Sequence, residues 1–151
     1  MKIVFTRLTA DRHRFDVLRD GRAPESRELE TRSYLAHDLV HFTVERVFGF
    51  TAGFYGRLAS GVALDQVDAA ATDESWRVEG IVGRFQSYLH SRAPLPDGLD
   101  AEKVAQVERD WRALLGAWKA TPYGGRLELD WGLTGTAARA ARVSEPALKA
   151  R

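Results

Sequence analysis

Ser33-Tyr34-Leu35-Ala36-His37-Asp38-Leu39-Val40-His41-Phe42-Thr43-Val44-Glu45-Arg46-Val47-Phe48-Gly49 is the stretch in which the apolar period of this chain changes from two to about 3.6. Ser33 is a suitable N-cap and Gly49 a suitable terminator, so the spacing predicts a helix over 34–48. Leu35, Leu39 and Phe42 form one apolar stripe, and Val40, Val44, Val47 and Phe48 form a second. A helix apolar around most of its circumference is buried. The polar stripe left between them, His37, Asp38, His41 and Glu45, is therefore expected to face a pocket, a partner group or a narrow solvent channel.

Upstream the period is two. Ile3, Phe5 and Arg7 alternate with Val4, Thr6 and Leu8, and Phe15 and Val17 alternate with Arg14 and Asp16. Asp20-Gly21 is a hairpin signal, and Pro24 cannot donate a ladder hydrogen bond, so a third strand starts after it, around 26–31. Downstream the pattern is helical. A short stretch ends near Gly61, with Thr51 as a candidate cap, and 64–71 offer a further turn or two. Thr72 or Asp73 opens a helix carrying Val78, Ile81, Val82, Phe85, Tyr88 and Leu89, in which Gly80 and Gly83 suggest close helix–helix approach. Asp100 caps the most regular helix, with Val104, Val107, Trp111, Leu114 and Trp118 on one face. Pro122 and Gly124-Gly125 end it. Leu127, Leu129 and Trp131 then share one face of a last strand.

Strands set apart from a block of helices argue for α+β: an antiparallel sheet, made of an N-terminal three-stranded meander plus a C-terminal strand, covered on one face by about four helices. One domain is expected over 1–131. Residues 132–151, rich in Ala, Arg, Gly and Thr without an apolar face, read as a loosely ordered tail with one helical turn around 137–141.

Composition narrows the function classes. The 22 basic and 21 acidic residues nearly cancel, so there is no strong pull toward nucleic acid or an anionic membrane, although 18 of the basic residues are arginine. The absence of cysteine excludes disulfides, thiolate metal ligands and a cysteine nucleophile. The first residues are too short an apolar run for a signal peptide, and no stretch approaches a membrane span, which points to a soluble, cytoplasmic domain.

Chemistry is concentrated in one place. On a helix, positions i, i+4 and i+8 drift only about 80° around the axis, so His37, His41 and Glu45 project from one stripe with Asp38 beside them. Two imidazoles and a carboxylate suit a divalent metal such as zinc, with Asp38 as the catalytic group that orients an imidazole or a water. The same geometry suits an inert buried polar network, in which no cofactor is bound. The metalloprotease pattern His-Glu-x-x-His differs by one residue from His37-Asp38-Leu-Val-His41, whose shorter Asp would need its water closer. These five residues also resemble the His-Asp-x-x-His motif of a protein family in ubiquinone biosynthesis. The resemblance covers this segment alone. It implies an all-helical fold and a further glutamate where this chain has Gly53.

Two function classes follow. The leading one is a non-enzymatic or regulatory ligand-binding module that binds an unidentified small ligand and self-associates as a homodimer. Its rival is a metal-dependent hydrolase with His37, His41 and Glu45 as ligands. Among the remaining features, the aromatic–glycine run 48–56 reads as a connector between packed helices. His13 is expected in a turn and His90 near a helix end.

Overall fold

The computed structural model describes residues 1–132 and 141–146. Its elements run β1 (Lys2–Arg7), β2 (Arg12–Leu18), β3 (Glu25–Glu30), α1 (Thr31–Phe48), α2 (Phe54–Ala59), α3 (Asp73–Ser91), α4 (Ala101–Ala120), β4 (Arg126–Asp130) and β5 (Ala141–Ser144). The fold is α+β, with five antiparallel strands in the order β3-β2-β1-β4-β5.

The register explains which strand residues meet the helices. Phe5 pairs with Phe15 and Leu127, and Ile3 with Val17 and Leu129, which puts six buried side chains on one face. The opposite face carries Lys2, Arg12, Arg14 and Asp16, bridged as Lys2–Glu128, Arg12–Glu28 and Arg14–Asp16. The exposed Arg12–Glu28 pair adds little to stability, whereas Asp16 is buried and accepts from both Arg14 and Ser26. On β3, Glu25, Arg27 and Leu29 pair with Val17, Phe15 and His13, so this edge strand turns two charged side chains toward the helical layer.

α1 crosses the middle of that layer, touching β3 and the other three helices. It begins three residues before the expected start. Glu30, the last residue of β3, serves as the cap, its carboxylate accepting from the backbone N–H groups of Arg32 and Ser33. Gly49 ends it at φ 71°, a left-handed value that costs glycine nothing. Thr72 and Asp100 cap α3 and α4 as their sequence positions suggested. α2 is capped at Gly53 by no side chain, not by Thr51. Trp111, Leu114 and Trp118 are buried.

Three expectations are corrected. Gly80 and Gly83 face open space, so the helices meet on other residues. His13 lies inside β2 and is fully buried, because its register opposite Leu29 and Arg7 places it on the inner face. The segment read as a loose tail contributes β5, whose backbone ladder to β4 needs no apolar periodicity. Of the helical turn expected at 137–141, only Ala141 lies within the described residues, and it is in β5. Among the described residues no helix is long and apolar enough to cross a membrane.

Candidate metal centre

His37 and His41 stand one turn apart on α1, their ring centroids 4.7 Å apart with planes at 74°. Facing them across the helix interface is α3. Its Val78, Val82, Phe85 and Leu89 are buried, and Glu79 and Gln86 lie on the adjoining stripe, seven residues apart and hence nearly in line along the helix. Glu79 meets His41 Nε2 at 3.1 Å, while Gln86 Oε1 hydrogen-bonds His37 Nδ1. One ligating atom from each of His37, His41 and Glu79 lies within 4.8 Å of the others, a group able to hold a metal ion.

Glu45 takes another place. It is fully buried behind His41, its carboxylate 3.0 Å from His41 Nδ1. The same carboxylate accepts from the backbone N–H of Tyr55 at 3.3 Å and of Gly56 at 3.0 Å, both in the first turn of α2. Gly53 is required by this packing, since a Cβ there would fall inside the Glu45 carboxyl. The aromatic–glycine run is thus a cradle for a buried carboxylate as well as a connector. The ubiquinone-biosynthesis motif, which needs a glutamate where Gly53 stands, does not carry over.

One nitrogen of each histidine is hydrogen-bonded, His41 Nδ1 to Glu45 and His37 Nδ1 to Gln86, which leaves Nε2 as the atom for a ligand; on His41 it faces Glu79. A carboxylate or amide on the non-ligating nitrogen fixes tautomer and ring orientation, the arrangement that supports metal-bound imidazoles. Burial alone would lower the His41 pKa, but hydrogen bonds to Glu45 and Glu79 outweigh it and raise the pKa to about 9. The imidazole is then a cation between two carboxylates, and a metal ion would replace its Nε2 proton. Burial opposes ionisation of Glu79, yet the His41 hydrogen bond and the nearby charges of His41, His37 and Arg57 hold its pKa below the usual value.

The three groups open on a cavity of about 320 Å³. Phe15, Leu29, Phe54 and Ala71 line it with Asp38, Arg27, Arg57 and Asp68. Asp38 is half-buried, and burial pushes its carboxyl up to about 7 against the pull of His41 and Arg27. Its backbone carbonyl accepts from Tyr55 Oη at 3.0 Å, which ties α1 to α2 beside the cavity. The remaining histidines stay apart. His13 bonds Thr31 Oγ1 at 3.0 Å in the core, and exposed His90 bonds the Gln86 carbonyl.

Comparison with protein-family models, curated proteins and solved structures returns no match to this chain. Function rests on the geometry. Sequence periodicity gathers His37, Asp38 and His41 but not Glu79. The available signal was the 79/86 pair of polar residues flanking an apolar stripe, which names a facing helix only once the tertiary pairing is known.

Proposed function

We propose that this cavity is a zinc-type divalent-metal centre with His37, His41 and Glu79 as ligands, and that the domain acts as a small-molecule hydrolase. The observation that carries the reading is the paired support behind the histidines, Glu45 on one and Gln86 on the other, around a three-residue donor set facing a cavity. Three protein ligands leave a coordination position for water, the pattern of catalytic rather than structural zinc. A bound metal would supply Lewis acidity and a more acidic water. Asp38, which lines the cavity, would accept that water's proton or orient it. Glu45 is a positioning residue, since it reaches the cavity only through His41.

A second reading is a metal-free regulatory module that binds a small ligand. The ion pair between His41 Nε2 and Glu79 favours it, because it satisfies both groups without an ion. Zinc titration of protein free of any polyhistidine tag, against a chromophoric chelator, separates the two. One zinc per chain is expected, lost in Glu79→Ala and His37→Ala and kept in His90→Ala. No zinc binding would favour the metal-free reading, and binding indifferent to Glu79→Ala would reject this ligand set.

A further inference from the structure

Tyr34 and Trp76, 48% and 66% exposed, are two of the four large apolar side chains left exposed among the described residues, and both rim this cavity. Their positions repeat one relation. Tyr34 precedes His37 by three residues on α1, and Trp76 precedes Glu79 by three on α3. Residues three apart on a helix are surface neighbours, so each ring stands one turn from a member of the donor set. Phe15 and Phe54 continue the aromatic lining inward.

The polar groups limit the head of any occupant. Arg57 is buried, with Nε on the Gly53 carbonyl at 3.2 Å and Nη1 on the Val67 carbonyl, so its guanidinium is held in place at the cavity wall, where its charge acts on Glu79. Arg27 Nη1 lies 3.7 Å from Asp68 and is partly neutralised. With a divalent ion on the donor set, these cations outweigh Asp38, Asp68 and Glu79 by about one charge, which favours a singly charged head over a phosphate dianion. A volume of about 320 Å³ is at the small end of ligand pockets, which run from about 300 to 1,000 Å³, and suits one ring with a short head group rather than a polymer segment.

Resting on the metal-centre reading, we infer that the cavity takes single-ring aromatic carboxyl compounds, as the acid or its acyl derivative. The ring lies against Trp76 and Tyr34, and the carboxyl or carbonyl oxygen meets the donor set and Arg57. Trp76 is the larger and more exposed platform and carries most of the ring recognition.

Benzohydroxamate and acetohydroxamate present the same chelating head with and without a ring, so their affinities for zinc-loaded protein measure the ring's contribution. Benzohydroxamate is expected to bind about tenfold tighter. Trp76→Ala should bring the ratio within about threefold while leaving zinc and acetohydroxamate affinity unchanged. Equal affinities in the wild-type protein, or an undiminished ratio in a Tyr34→Ala/Trp76→Ala double variant, would overturn the inference. Failure of the metal reading shows separately as absent zinc binding. The ratio is then read on the metal-free protein with phenylacetate against acetate, where the same two outcomes support or overturn ring recognition.

Discussion

α1 and α4 are neighbours of similar length, both packed into the same layer, yet they bury different chemistry. α4 turns Val107, Trp111, Leu114 and Trp118 inward, and its buried acid, Asp110, takes a hydrogen bond at 2.6 Å from Gln106 on the same helix and interacts with the charge of Arg46 on α1. α1 buries His41 and Glu45 among its apolar residues, and they pair with each other and draw further partners from α2 and α3. Apolar burial of the α4 kind stabilises by removing surface from water. Buried charges cost desolvation that pairing only offsets, so a cluster drawing on three helices is weak evidence of a stability device. The contrast teaches that α4 serves the core, whereas α1 serves both the core and the site.

Substitutions on each helix can break that contrast. Glu45→Ala strips acceptors from two buried backbone N–H groups and from a buried imidazolium, and should cost about 3–5 kcal/mol in denaturant titration. A loss below about 1 kcal/mol would mean that water replaces the carboxylate and that the α2 cradle is loose. Trp111→Ala should cost about 3 kcal/mol, the low end for such truncations because its buried indole Nε1 has no partner among the described residues. Unchanged stability there would remove α4 from its role as scaffold.

A smaller, pH-dependent effect belongs to His13, which lies outside both clusters. Burial lowers its pKa from 6.5 to about 4, with Arg12 adding to the shift and Glu30 opposing it, and its Nε2 has no partner among the described residues. The unfolded chain takes up the proton first as pH falls. Stability from this group is therefore full above about pH 6.5, falls as acid is added, and is about 2 kcal/mol lower by about pH 5. His13→Leu should flatten that part of the stability–pH curve, and an identical slope in both proteins would show that another group is responsible. His37→Ala is the mildest change for the fold. His37 is half-buried, so its loss should cost about 1 kcal/mol or less while abolishing zinc binding. A large stability loss would make this end of the cluster structural.

The sequence-level reading reached the fold through local signals. Alternation at Ile3/Phe5 and Leu127/Leu129, the change of period near Ser33 and the caps at Thr72 and Asp100 are each decided by neighbours in the chain. β5 gave no such signal, because a short strand held by its backbone ladder needs no alternating side chains. The site was half legible. A helical stripe places His37, Asp38 and His41 together, but Glu45 points back toward α2, where two backbone N–H groups await a carboxylate. Glu79 belongs to another helix, and its arrival opposite His41 is a consequence of packing that no local period encodes.

The ligand set itself is the central claim, and X-ray absorption at the zinc K-edge of zinc-loaded protein tests it most directly. The account predicts a four-coordinate shell of two imidazole nitrogens and two oxygens at about 2.0–2.1 Å. Glu79→Ala should remove that signature, whereas Glu45→Gln should keep two imidazoles with weaker binding. A shell without imidazole, or one unchanged by Glu79→Ala, would contradict it.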